Sequence, residues 1–142
     1  MVKSGVIRFI GEVESAGEAS RVLIYSEFCP GLLGVEEYSH LIVLYWIHLR
    51  DNDRNRRTLR VTPPRHEGAP LTGVFACRSP SRPNPIGLSV VELESVDGCR
   101  LRVKGLDALE GSPIVDLKPY QPRADSVPDA STPEWSQRGP PT

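Results

Sequence analysis

Apolar residues along this chain recur mostly at a spacing of two, in short runs broken by turn formers, which is the signature of strands rather than long helices. In residues 5–13, Ile7, Phe9 and Val13 alternate with Arg8 and Glu12 and predict a first strand. Arg21 to Ser26 predicts a second, after a polar turn at Ala16-Gly17-Glu18. Pro30 to Tyr38 predicts one short helix or turn, opened by Pro30, with Glu36 and Glu37 on its wet side. His40 to Leu49 contains the unbroken run Leu41 to Ile47, which predicts a central strand buried on both faces. Thr58 to Thr62 predicts a short strand stopped by Pro63-Pro64, and Leu71 to Cys77 and Leu88 to Val96 predict strands flanking a proline-rich loop. Asp97-Gly98 signals a hairpin, from which Cys99 to Leu106 returns with Leu101 and Val103 opposite Arg100, Arg102 and Lys104. Ile114 to Leu117 is the last predicted strand. The fold class is therefore mainly β: a small folded sheet or β-barrel-like single domain with few short helices.

Composition narrows this picture. The 142 residues suit one domain, placed at 1–130, and the 14 prolines disfavour long helices. Residues 131–142 read as a proline-rich tail that wraps over the body or over a partner. The start of the chain lacks the apolar stretch of a signal peptide, and Leu41 to Ile47 is too short to cross a bilayer, so a soluble cytoplasmic protein without membrane contact is expected. Cys29, Cys77 and Cys99 form no C-x-x-C pair and are odd in number, so they are read as reduced and no metal site is expected.

Net charge is −1, yet residues 50–82 hold eight arginines against three acids. An all-arginine block suits phosphate, because the guanidinium is planar, permanently charged and bidentate. A solvated loop with internally paired arginines is the alternative. The twelve glycines never occur as G-x-G, which excludes a dinucleotide fingerprint and a P-loop. G-x-S-x-G and H-E-x-x-H are also missing, which lowers serine hydrolase and zinc protease readings.

The most informative stretch is Gly73 to Ser89. Pro80, Pro83 and Pro85 stiffen a loop between two strands, and Arg78, Ser79, Arg82 and Asn84 offer donors from that frame. The alternative is a structural turn whose arginines cap carbonyls. In Gly105 to Tyr120, Asp107, Glu110 and Asp116 bracket a turn at Gly111-Ser112-Pro113. Acids there suit the ammonium and ribose hydroxyls of a ligand, and turn amides suit an adenine edge; a surface turn with paired acids is equally compatible. His40 and His48, eight residues apart, are placed on one strand face, where packed histidines are commoner than catalytic ones. Trp135 in the tail reads as an exposed indole suited to docking or base stacking.

Gly73-Val74-Phe75-Ala76-Cys77-Arg78-Ser79, Arg82-Pro83-Asn84-Pro85-Ile86-Gly87-Leu88-Ser89, and Gly105-Leu106-Asp107 with Ile114 to Tyr120, strongly resemble the TsaA/TrmO-like family of tRNA methyltransferases. Gly5-Val6-Ile7, Ser39-His40-Leu41 and Pro63-Pro64-Arg65 add to the resemblance, which spans residues 5 to about 129. It implies a barrel-like domain that forms homodimers, binds S-adenosyl-L-methionine and methylates the N-6 nitrogen of threonylcarbamoyl-adenosine at tRNA position 37. By position it implies cofactor contacts from His48, Leu49, Arg78, Leu88, Glu110, Gly111, Ser112 and Pro113. Asp107, Asp116 and His48 are candidate bases; Arg82 and Asn84 are candidates for the carbamoyl-threonine, and Arg54, Arg56, Arg57 and Arg65 for the tRNA backbone. The chain departs from the family where an Arg-Gln-Pro segment is usual, offering Glu18, Ser20 and Arg21 instead, and Cys77 replaces a usual threonine. Methylation of another RNA or a small molecule, and a non-catalytic RNA-binding barrel, are the alternative functions.

Overall fold

The computed structural model describes residues 2–141, which form two compact units. One comprises the chain up to His48 together with Ile86–Gln121; the other comprises Leu49–Pro85 together with the chain from Pro122 onward. Residues from Pro122 onward group with the proline-rich insertion. Eight strands are present among the described residues: β1 (Gly11–Ser15), β2 (Ala19–Ile24), β3 (His40–Trp46), β4 (Arg60–Val61), β5 (Thr72–Gly73), β6 (Ile86–Asp97), β7 (Arg100–Lys104) and β8 (Pro113–Pro119).

In the first unit six of them close an antiparallel barrel in the order β1-β2-β7-β6-β3-β8. Closure leaves no open edge and turns every second side chain inward. Val13, Val22, Ile24, Leu41, Val43, Val91, Leu101, Val103 and Ile114 fill the interior, each at most 1% exposed. The run Leu41 to Ile47 is not buried on both faces as expected. A barrel strand has one interior side, so Leu41, Val43 and Tyr45 are buried while Ile42 and Leu44 are only half-buried on the outside. The first strand also starts later than its alternation suggests. Backbone pairing begins at Ile10, whose amide donates to the Ile114 carbonyl, and Phe9 turns its ring toward Trp46 at 5.8 Å.

The β6–β7 hairpin forms at the expected Asp97-Gly98 turn, with Asp97 paired to Arg100 and Gly98 at φ 60°. It lies beside the end of β2, where the Ile24 amide donates to the Cys99 carbonyl. The chain after β2 folds back through a 3-10 turn, Cys29–Leu32, and brings Cys29 to Cys99 with their Cα atoms 5.4 Å apart. They form a disulfide, which corrects the reading of three reduced cysteines; Cys77 is the free thiol. Partners 70 residues apart in sequence meet only because the barrel joins β2 to β7, a proximity that spacing does not reveal.

Two glycines mark close approaches within the barrel. A Cβ on Gly87 would lie 2.3 Å from the ring of Tyr45, its cross-strand partner, and one on Gly11 would lie 2.1 Å from the Leu23 carbonyl. Both positions need hydrogen where other residues carry a side chain.

The second unit holds the two-stranded β4–β5 sheet, the one-turn helices α1 (Asp53–Arg56) and α2 (Pro122–Asp125), and the tail. Asn52 caps α1 by accepting from the Asn55 amide. The strand expected over Leu71–Cys77 shrinks to Thr72–Gly73, because Val74–Ala76 coils into a 3-10 turn that buries Val74.

Gly87→Ala is expected to lower unfolding free energy by about 1–3 kcal/mol through overpacking against Tyr45, whereas Gly31→Ala, which meets open space, is neutral. Urea denaturation of both variants checks this. Removing the disulfide, whose closed span implies about 4 kcal/mol in the chain-entropy treatment, lowers the melting temperature. Dithiothreitol and Cys99→Ser should act equally and not cumulatively; a melting temperature indifferent to dithiothreitol would overturn the pairing.

Candidate functional site

Strand directions sort the loops of the barrel onto two ends. At one end β1, β3 and β7 finish and β2, β6 and β8 begin. Here lie the β1–β2 hairpin with Gly17 and Glu18, the exit after β3, the entry into β6 and the loop 105–112. The opposite end carries the β2–β3 connection, the β6–β7 hairpin and the exit after β8.

Of the residues singled out from sequence, the first end collects His48, Leu88, Asp107 and Glu110 to Pro113. His48 opens the short turn His48–Arg50 two residues beyond β3. The strand has stopped by then, so the shared-face relation with His40 does not hold. His40 begins β3 at the opposite end, its Nδ1 2.7 Å from Ser39 Oγ and its ring edge-on to Tyr120. Leu88 points outward from β6 and is 47% exposed. The neighbouring Ser89 is buried, and its Oγ accepts from the Asp107 amide at 3.1 Å, which fixes the backbone of Asp107 while leaving its side chain exposed.

The turn at 110–113 is held from β1. The Gly111 amide donates to the Val13 carbonyl, the Val13 amide to the Ser112 carbonyl, and the Ser112 amide to the Leu109 carbonyl. Two of the amides considered for an adenine edge are thus already engaged, and Pro113 has none. What the turn presents is the exposed Glu110 side chain, carbonyl oxygens and the left-handed Gly111, φ 87°, beside open space.

Asp116 does not join this group. It lies midway along β8, where one carboxylate oxygen accepts from the Leu117 amide at 2.9 Å and the other pairs with Lys118 at 3.3 Å. It lines a cavity of about 510 Å³ with Ile24, Phe28, Leu32 and Leu41, on the side of the β2–β3 connection. Tyr25, at the end of β2, has its phenol held above the ordinary tyrosine range, first by burial and then by the nearby Glu12 carboxylate.

In the second unit the arginines divide into two sets. Arg82 Nη1 donates to the Cys77 and Ser79 carbonyls, at 3.2 and 3.1 Å. Arg56 Nε donates to the Pro83 carbonyl at 2.8 Å, while its Nη1 pairs with Asp51 at 3.1 Å and its Nη2 reaches Asn84 at 3.4 Å. Arg50 donates to Ser81 Oγ at 2.8 Å, and buried Ser81 donates to Asn55 Oδ1 at 2.7 Å. These three guanidiniums brace the loop. Arg54, Arg60, Arg65 and Arg78 are exposed and make no side-chain hydrogen bond or ion pair among the described residues, and Arg57 only reaches back to the Asp53 carbonyl. Leu49 is exposed as well. The Ser81–Asn55–Asn52 network has one trace in the sequence, the cap spacing of Asn52 and Asn55; the partnership with Ser81 has none.

No group of three or more His, Cys, Asp or Glu side chains among the described residues is arranged to hold a metal ion, and no described helix is long and apolar enough to cross a membrane.

Residues 12–126 match the tRNA-methyltransferase O N-terminal domain. A "tRNA (adenine(37)-N6)-methyltransferase" of Escherichia coli is 43% identical over 97% of this chain and 59% of its own length. A "probable S-adenosyl-L-methionine-binding protein" of Archaeoglobus fulgidus is 54% identical over 80% of this chain, which spans only 29% of that protein. The crystal structure of TrmO from Pseudomonas aeruginosa superimposes with a TM-score of 0.72 at 28% identity, covering 94% of this chain and 62% of that one. The chain belongs to the tRNA-methyltransferase O N-terminal domain family.

Proposed function

We propose that this chain is an S-adenosyl-L-methionine-dependent methyltransferase acting on the N-6 nitrogen of threonylcarbamoyl-adenosine at position 37 of tRNA. The observation that carries the reading is the gathering of His48, Leu88, Asp107 and the Glu110–Pro113 turn at one barrel end, in a chain of this family. Those groups suit the donor: carboxylates at Asp107 and Glu110 match its ammonium and ribose hydroxyls, exposed Leu88 matches a purine face, and the carbonyls of the turn match an adenine amino group. When bound, the donor supplies a methyl group already activated on a sulfonium.

The protein then has to orient the acceptor and help the N–H proton leave, since the acceptor lone pair is delocalised into purine and carbamoyl. Asp107 and His48 are the bases we favour; the Asp116 carboxylate is tied to Lys118 and Leu117. Arg78, with Leu49, belongs to the donor contacts. Arg54, Arg57 and Arg65 meet the RNA backbone, with charge that no acid among the described residues pairs. Arg56 and Arg82 shape the loop, and Asn84 faces the carbamoyl-threonine. A cytoplasmic homodimer completes the proposal; Ile86 and Val90 are the exposed apolar side chains that the outside of β6 offers to a partner.

Calorimetry with S-adenosyl-L-methionine should give heat of binding, weakened about tenfold or more in Glu110→Ala and Arg78→Gln. No heat with the wild-type protein would leave only an RNA-binding barrel. Transfer of labelled methyl should require the threonylcarbamoyl group on the tRNA; equal labelling of tRNA lacking it would sink the acceptor assignment. Replacing Arg54, Arg57 and Arg65 together by Gln should weaken tRNA binding and flatten its salt dependence by a slope of roughly three, with donor affinity unchanged.

A further inference from the structure

The tail does not behave as an indole waiting for a base. Residues 62–71 connect β4 to β5, two strands of two residues each; the Ala69 amide donates to the His66 carbonyl, and Thr72 Oγ1 to the Pro70 carbonyl. A ten-residue loop on strands so short gains little order from them. Yet His66, near its tip, is only 7% exposed.

What covers it is the 3-10 turn Glu134–Gln137 and the residues after it. The Trp135 ring sits edge-on to His66 with centroids 5.7 Å apart. The Arg138 carbonyl lies 2.5 Å from His66 Nδ1, and Arg138 Nη1 donates to the Glu67 carbonyl at 3.0 Å. Glu134 pairs with the same guanidinium at 3.1 Å. Gly139, at φ 80°, passes so near the loop that a Cβ on it would lie 2.1 Å from the Arg65 carbonyl. The tail therefore grips the loop through a ring contact, two hydrogen bonds and a backbone crossing that only glycine permits. The first of the gripped residues is Arg65, whose side chain is exposed, with no ion pair or hydrogen bond to it among the described residues.

We propose that Trp135 to Gly139 is a strap that fixes the loop 63–68 and presents Arg65 to an RNA phosphodiester, with Trp135 a positioning residue that does not touch RNA. This rests on the assignment of the arginine block to the tRNA backbone. Fixing a loop before the ligand arrives removes the ordering entropy from the binding step, so loss of the strap weakens binding without removing any charge.

The experiment is a double-mutant cycle on the full chain, read as KM for tRNA in methyl transfer, with calorimetric donor affinity as the folding control. Arg65→Gln and Trp135→Ala should each raise KM roughly three- to tenfold, the size of one lost phosphate contact, and the double variant should be no worse than either. Trp135→Phe should restore most of the loss, and kcat should not change in the Trp135 variants. Gly139→Ala, a surface change that displaces the crossing without touching the barrel core, should reproduce Trp135→Ala. An unchanged KM in Arg65→Gln overturns the backbone assignment itself. A raised KM in Arg65→Gln with Trp135→Ala and Gly139→Ala silent overturns the strap alone. Additive effects of Arg65→Gln and Trp135→Ala overturn it too, because Trp135 would then contact RNA directly.

Discussion

The contact on which the rest of this molecule depends is the ring of Tyr45 lying across Gly87. Cross-strand pairs set the register of a sheet, and here one member of the pair has no side chain, so the aromatic ring occupies both places. A slip by one residue would bring Ile86 or Leu88 under the ring and turn the interior of β3 outward. With the register fixed, β3 and β6 pair from His40–Glu92 to Trp46–Ile86, and β8 pairs along the other side of β3. His48 and Leu88 take their positions from these pairings, while the 110–113 turn is held from β1.

Much of this was legible in the sequence. Period-two alternation identified β2, β6, β7 and β8 to within a few residues, and Asp97-Gly98 marked its hairpin, because strands and tight turns are local events. The failures share a cause: each depended on distant residues. Ile7 and Phe9 alternate as a strand does, but no neighbour pairs with them before Ile10. Leu41 to Ile47 looked buried on both sides because sequence does not tell a barrel from a layered sheet. Cys29 and Cys99 gave no sign of meeting. Among the candidate site residues, spacing alone could not separate Asp107, at the end of the barrel with the 110–113 turn, from Asp116, midway along β8.

The arginine block shows how composition can be right about charge and silent about its use. Eight arginines in one stretch suggested phosphate, yet Arg50, Arg56 and Arg82 spend their donors on carbonyls and side chains of the same loop. They are a scaffold, and the remaining arginines of the block stand exposed. A rigid frame of cations carrying free cations is costly to assemble from like charges. The internal acceptors and Asp51 offset part of that repulsion.

The rung Trp46–Ile86 has a consequence for how such a protein diversifies. Everything from Leu49 to Pro85 leaves and returns at one paired step of the barrel, which makes it, topologically, the loop of a β-hairpin. Closing a longer loop adds only about 0.6 kcal/mol per doubling of its length. Descendants of this chain can therefore lengthen, shorten or replace much of that segment without disturbing a barrel register.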